Sequence, residues 1–541
     1  MAKAVSIPGI GRASAFLASG TMVSRILGFV KAILLAQTIG LTSIGDAFGT
    51  ANQLPNTIFT IIAGGVLSAI LVPQIVKAAM QLDRGQAYIN KLITITLSVL
   101  TAATLVALAC APLLVRIYAN FPEQKQALTV AFALWCIPQL FFYGLYSVVG
   151  EILNAHKLFG PFTWSPALNN VVAIAGLFIF IGAFGADPDG LRTAADFDPL
   201  MIAVLAGTAT LGVAAQALVL FRYWGRLGLK FRLDFDWRGV GLAETGQLAG
   251  WTFGMIMLTF VAGIVQSQVA NSVSGDGNAS VAVMQNAWLI FMLPHSVLAV
   301  SLTTAYFTRM AEHAATKNLE SLKQDVSAAL RNVSMLIVLS AAVLLAVAFP
   351  FARVFTPSPG ALGWVIIGYA VGLVPFCFLF VLQRTFYALG DTRTPFFFTL
   401  FQVVLFSLLA TASLLLPENI TTFGVALSQS IAGTAQAFLA FFLLRRRLHG
   451  LDVQQILNSM SIFSFSAIPA FIVGMVSVVL MGGLNIAGWG MGSTLAAIIT
   501  MCVAGAATAL TYFLFLWVLR ARELSTVFGP ARKIIRRIVR R

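Results

Sequence analysis

The sequence predicts an all-α, polytopic membrane protein of about fourteen transmembrane helices: two pseudo-symmetric six-helix halves and two further C-terminal helices. Three observations predict it. Hydrophobic residue types make up 59 % of the chain and charged types 10 %, where a soluble domain carries about 25 % charged residues. Apolar stretches long enough to cross a bilayer core, about 20 residues each, recur along the whole length. The Lys and Arg residues alternate in step with those stretches.

The stretches fall at 14–38, 46–74, 92–115, 127–152, 162–184, 199–221, 245–270, 280–307, 330–350, 361–388, 395–415, 422–444, 461–482 and 492–519. The first carries Arg25 and Lys31 and has no small-residue cleavage pattern, so it reads as a retained span and not a signal peptide. Pro55, Pro294 and Pro375 sit inside the second, eighth and tenth and predict kinks there.

With a cytoplasmic N-terminus, 28 of the 34 Lys and Arg fall in inside segments and four, Arg116, Lys125, Arg192 and Arg353, in outside loops. The remaining two are Arg25 and Lys31. That is the pattern of the positive-inside rule for an even span count with both termini in the cytoplasm. One missed span would invert every later loop. The net charge of +15 therefore follows from topology in the inner (plasma) membrane and calls for no nucleic-acid partner.

The halves echo each other. IPQLFFYGLYSVVGEILNAHKLFGPFTWSPALNNVV (137–172) and VPFCFLFVLQRTFYALGDTRTPFFFTLFQVV (374–404) each pair an early Pro with an aromatic-rich span, a short polar turn and a Pro-Phe opening the next span. The predicted plan is a first half over 1–221, a basic-aromatic cytoplasmic linker over 222–244, a second half over 245–450, two extra spans over 451–520 and a basic tail over 521–541. Parallel halves of this kind bind substrate between them and rock about it. The linker composition suits the headgroup region. In the tail, Ile534, Ile535, Ile538 and Val539 share a helical face opposite most of the cations, which fits an interfacial helix on anionic membrane lipids or a solvated topogenic tail.

Two cations deep within a span are the most informative feature. At about 100° per residue, Thr21, Ser24, Arg25, Gly28 and Lys31 share an arc of about 120°. Facing lipid, they would cost at least several kcal/mol, so a wet interior is expected. Span 2 answers with Asp46, Gly49, Thr50, Gln53, Asn56, Thr57, Thr60 and Gly64. Asp46 is the expected internal partner for one cation. Two cations against one carboxylate leave a surplus suited to an anion, above all a diphosphate. Snorkelling or packing is the competing reading. Asn169, Asn170, Gln266 and Gln268 either line the same cavity or join helices by hydrogen bonds. Glu151, His156 and Lys157 read as a solvated turn, and Asp391 with Arg393 as a turn-stabilising pair.

No metal-ligand spacing, cofactor motif or nucleophile with a base occurs, so neither an enzyme nor a cofactor is expected. Cys110, Cys136, Cys377 and Cys502 are scattered through apolar runs and read as free thiols.

SRILGFVKAILLAQTIGLTSIGDAFGTANQLPN (24–56) resembles the signature of the MurJ (MviN) lipid II flippases, and GGVLSAILVPQIVKA (64–78) its continuation in actinobacterial members. AWLIFMLPHSVLAVSLTTAYF and YALGDTRTPF are similar to family segments of the second half. The resemblance implies the fold of the multidrug/oligosaccharidyl-lipid/polysaccharide (MOP) flippases. It also implies alternating-access movement of lipid II, the undecaprenyl-diphosphate-linked peptidoglycan precursor, to the outer leaflet. Carried over by position, Arg25, Lys31 and Asp46 match the family's essential cavity charges, and Ser24 and Asn170 match cavity-lining positions. Spans 13 and 14 would supply a groove for the polyprenyl tail. Phe59, Gly64, Leu289 and Met292 stand where many proteobacterial members have charges, which leaves the second half's side of the cavity uncharged. The substrate-binding set is therefore Arg25, Lys31, Ser24, Asp46, Gln53, Asn56, Asn170 and Gln266, and other cell-wall synthesis proteins are possible partners. The alternatives are a flippase of another lipid-linked oligosaccharide, a drug exporter, and a non-transporting scaffold for cell-wall synthesis.

Overall fold

A lipid-embedded backbone must satisfy its own hydrogen bonds, which leaves helices as the natural form for apolar runs of this length. In the computed structural model every regular element among the described residues is helical. Those residues are 10–63, 85–156, 158–236, 246–273 and 281–524, with side chains from 19 in the first helix and from 250 in the ninth. The continuation motif at 64–78, Lys157, Arg238 and tail residues 525–541 lie outside them.

The helices are α1 (Ile10–Ile39) and α2 (Ser43–Ile62); α3 (Gln86–Ala109), α4 (Ala111–Tyr118), α5 (Glu123–Cys136), α6 (Gln139–Ala155) and α7 (Phe159–Phe184); and α8 (Pro199–Leu227). There follow α9 (Gly246–Ser272), α10 (Val281–Ala315), α11 (Leu319–Phe355), α12 (Gly360–Ala370) and α13 (Leu373–Ala388). The last are α14 (Arg393–Leu415), α15 (Glu418–Arg447), α16 (Val453–Leu480) and α17 (Thr494–Val518). Twelve helices among the described residues are long and apolar enough to cross a membrane, thirteen with the bent pair α12–α13. Each matches one expected span. The remaining expected span is α2, 20 residues long, whose continuation lies outside the described residues.

Two of the three expected kinks have structural counterparts, while α2 continues through Pro55 as a single helix. Pro294 is followed by a five-residue π-helical turn, His295–Ala299. α12 and α13 meet at 44°. There the Ser430 hydroxyl donates to the carbonyls of Gly368 (2.6 Å) and Tyr369 (3.2 Å), the latter also accepting from the Gly372 amide at 2.9 Å. A turn at Ile137–Pro138 interrupts the single span Glu123–Ala155 between α5 and α6, and the Thr210 hydroxyl donates to the Trp135 carbonyl at 2.7 Å.

The chain divides into two compact units, one through Phe260 and one from Val261 onward. In the first, α1 packs lengthwise on α7, with Gly20 against Trp164 and Gly28 against Asn170. Loop 185–198 closes over the α1–α2 corner. Asp187 donates its amide to the Thr38 carbonyl (3.2 Å), and its carboxylate accepts from the amides of Leu191 and Arg192. Two glycines permit the contact. Gly40 (φ +71°) and Gly190 (φ +65°) touch backbone to backbone, and a Cβ on Gly190 would lie 1.9 Å from Thr42 Oγ1. Beneath them Phe48, Phe132, Phe197 and Phe180 pack ring on ring.

In the second unit α11, 37 residues long, is the post on which α16 and α17 are mounted. Tyr512 donates to the Met335 carbonyl at 2.8 Å. Arg331 on α11 pairs at 2.7 Å with buried Glu523, just beyond α17, and Ser459 on α16 donates to the same carboxylate at 2.9 Å. Asp391 stabilises the turn before α14, but through the amide and hydroxyl of Thr394, which it accepts from, while Arg393 lies over the Phe397 ring.

Candidate functional site

The first unit holds a small cavity of about 60 Å³ whose wall is partly apolar, with Leu35, Phe48 and Leu177. Lys31 on α1 lines it, with Asn52 on α2, Gln139 and Tyr143 on α6, Asn169 on α7 and Thr208 on α8. The lysine is there because positions 20, 24, 28, 31 and 35 of a helix share one face (at about 100° per residue), and that face of α1 is the one laid on α7. The polar lining is organised by the break at Pro138. Gln139 donates to Asn52 Oδ1 (3.0 Å) and to Thr210 Oγ1 (3.1 Å), and Asn169 donates to Gln216 at 2.9 Å. Lys31 is half-buried and, among the described residues, has no carboxylate within ion-pair distance. Three donors and no acid make this a cation site with its own charge uncompensated.

Arg25 lies about 100° round α1 from Ser24 and is exposed, also without an acid partner among the described residues. The expected stripe is thus divided: Lys31 looks into the unit, and Arg25 sits on its surface.

The acid expected to meet one of these cations is engaged elsewhere. Asp46, 1 % exposed, pairs with Lys125 at 3.3 Å, and Lys125 also lies over the Phe121 ring at 4.0 Å. Lys125 reads in the sequence as an outside-loop cation. In the structure it stands in the first turn of α5, 6 % exposed. The α1–α2 connection turns Asp46 towards α5, because Ile44, Ala47 and Phe48 bury the N-terminal turn of α2.

The other predicted residues separate by role. Asn170 donates to the Ser24 carbonyl at 2.8 Å and so joins α7 to α1, while its neighbour Asn169 lines the cavity. On α2, Gln53 is half-buried and Asn56 exposed, and their carbonyls accept from Thr57 and Thr60. Gln266 belongs to the second unit, where it donates to the Tyr369 hydroxyl at 3.2 Å. Sequence reading missed Lys125, Asn52 and Gln139. A polar residue directly after Pro138, and Tyr143 four residues on, were the available signal for that wall.

A helical bundle of these lengths and this apolar exposure is a multi-pass membrane protein, and its fold is that of the MOP transporters. It aligns with a lipid II flippase MurJ in an inward-closed conformation at a TM-score of 0.71, with 18 % identity over 96 % of this chain and 99 % of that one. It aligns with an inward-facing multidrug resistance MATE family transporter of the MOP superfamily at 0.63, with 17 % identity over 80 % of this chain and 98 % of that one. In sequence, the probable lipid II flippase MurJ of Rickettsia prowazekii is 26 % identical over 436 residues, covering 78 % of this chain and 81 % of that one. The corresponding protein of Rhizobium tropici is 27 % identical over 443 residues, 79 % and 80 % of the two chains. The profile described as Lipid II flippase MurJ matches residues 35–500. The chain belongs to the lipid II flippase MurJ family.

Proposed function

We propose that this chain moves lipid II across the plasma membrane as a transporter and not an enzyme, by alternating access, with both termini in the cytoplasm. Family membership supports the substrate. The observation that carries the site is that Arg25 and Lys31 keep their charge uncompensated among the described residues while Asp46 is held by Lys125. Phosphate is the natural counter-charge for such a pair, through charge-assisted hydrogen bonds.

The magnitudes order the steps. A cavity of about 60 Å³ takes a few water molecules, at about 10–15 Å³ each, and no diphosphate. Exposed Arg25 therefore makes the first contact, and Lys31 reaches the diphosphate only once its cavity widens. An inside-negative potential favours outward passage of an anion by about 2.3 kcal/mol per charge per 100 mV. Ser24, Asp46, Gln53, Asn56 and Asn170 then act mainly by holding the helices of the first unit in place, and Gln266 does so within the second unit. Other cell-wall synthesis proteins would take the product at the outer face.

The test is conditional depletion with a leaflet-specific assay for lipid II, complemented by wild type, Arg25→Ala or Lys31→Ala. Wild type restores outer-leaflet lipid II and the variants do not. Full complementation by both variants would leave a scaffold role, with no work for the cations.

A further inference from the structure

A single hydroxyl of α8 grips both sides of the turn between α5 and α6. Thr210 Oγ1 donates to the Trp135 carbonyl before the turn at 2.7 Å and accepts from Gln139 Nε2 after it at 3.1 Å. Gln139 also donates to Asn52 Oδ1 at 3.0 Å, and both of these side chains line the Lys31 cavity. The turn is the soft place in its span, because Pro138 has no N–H to give the preceding turn. Its angle is therefore set by groups that hold it from outside. Gly207 brings the two helices together there, with the Trp135 ring 3.3 Å from where a Cβ would stand. Just before Thr210, α8 is wound as a π-helix over Ala203–Gly207, a geometry common at functional sites. On the far side of the contact lies a groove of about 580 Å³, with Leu134, Trp135, Pro138, Phe142 and Leu211 in its wall. The turn thus has free volume to swing into.

The second unit repeats the device. Its corresponding span breaks between α12 and α13, and there too a hydroxyl from the last span of the half takes the carbonyls ahead of the break. Ser430 on α15 donates to Gly368 at 2.6 Å and to Tyr369 at 3.2 Å. Gly372 permits the approach, because a Cβ on it would lie 2.5 Å from Ser430 Oγ. Packing alone asks for no hydroxyl at either place, since an apolar side chain of similar size would fill it. A hydroxyl at both steadies each break with hydrogen bonds of modest net worth, enough to hold a hinge at rest and weak enough to let it go.

We propose that Thr210 is the latch of a hinge at Ile137–Pro138, and that its release widens the Lys31 cavity; Ser430 is its counterpart in the second unit. With the latch closed, Gln139 is held between Asn52 and Thr210, and the cavity keeps its volume of about 60 Å³. With the latch open, the turn swings towards the groove and Gln139 withdraws from the wall. Thr210 is a positioning residue, acting on the cavity through Gln139 and the Trp135 carbonyl. Its purpose rests on the transport reading, which requires the cavity to widen, but the latch can be measured without lipid II, so either can fail alone.

The experiment places a reporter thiol in the cavity wall, Ala173→Cys, in the full chain with Cys110 and Cys502 replaced by Ala and the buried Cys136 and Cys377 kept. The rate of its reaction with a small anionic thiosulfonate reports how often the cavity opens. Thr210→Val is expected to raise that rate roughly three- to tenfold, the equilibrium equivalent of losing one or two interhelical hydrogen bonds. Thr210→Ser, which keeps the hydroxyl, should stay at the parent rate. So should Thr208→Val, which removes a cavity-wall hydroxyl that donates to the Val204 carbonyl of its own helix. An unchanged rate in Thr210→Val, an equal rise in Thr208→Val, or a reporter that no variant exposes overturns the proposal. Should Thr210→Val fold poorly, Gln139→Met opens the latch from the other side and is judged by the same rise.

Discussion

Asp46 on α2 and Lys125 on α5 form an ion pair at 3.3 Å with both side chains buried. The pair lies under loop 185–198, beside the Phe48–Phe132 contact, where two full charges would be untenable singly. It leaves Arg25 and Lys31 of α1 without an acid partner among the described residues.

Removing one partner should be costly. Lys125→Ala strands a buried carboxylate and is expected to lower stability by about 3 kcal/mol or more. Thermal unfolding in detergent measures this. The reversed pair, Asp46→Lys with Lys125→Asp, should recover a clear part of the loss. Equal loss in the reversed pair would mean that packing, not charge, holds these helices together.

Lys31→Met should separate stability from transport. It removes a half-buried cation that has no acid partner among the described residues, so the melting temperature should hold or rise. Flipping should fall about ten- to a hundredfold, the rate equivalent of a charge-assisted hydrogen bond worth about 1.5–3 kcal/mol. Lys31→Arg should retain measurable flipping in reconstituted vesicles.

Asn170→Ala removes the bond to the Ser24 carbonyl and is expected to cost about 0.6–1 kcal/mol, the usual worth of an interhelical hydrogen bond in a membrane. Flipping per folded molecule should stay near wild type. A loss of flipping without loss of stability would move Asn170 from a joint between helices to a substrate contact.

Gly190→Ala meets Thr42 Oγ1 at 1.9 Å in a backbone region that only glycine occupies freely. The yield of monodisperse protein should drop sharply on size exclusion. Adding Thr42→Ala should relieve the clash but not the backbone strain, so the double variant is expected to recover only part of the yield.

Much of the fold was legible because membrane helices announce themselves by length and apolarity. The thirteen described spans from α1 to α17 match expected stretches, and the break at Val371–Gly372 falls near Pro375. The site was legible only in part. Periodicity placed Arg25 and Lys31 on one arc, but an arc of about 120° is wide enough to hold both a helix-packing face and an exposed flank, and the two cations went different ways. The partner of Asp46 was hidden for another reason. Lys125 precedes its apolar run, so hydropathy assigns it to a loop, and only the packing of α5 against α2 makes it a buried counter-ion. Likewise no periodicity reveals that Gln86, Asn90 and Thr94 serve as hooks for an extended segment about 140 residues later.

The clasp of Arg331, Ser459 and Glu523 bears on how reporters should be attached. α17 ends at Val518, and a fusion joined there on grounds of hydropathy would delete Glu523 and leave the Arg331 guanidinium without its carboxylate. Such a chimaera would report on a loosened C-terminal pair and could misassign its sidedness. Junctions placed after Leu524 keep the anchor, and a matched set of fusions on either side of Glu523 would show how firmly the last two helices are moored.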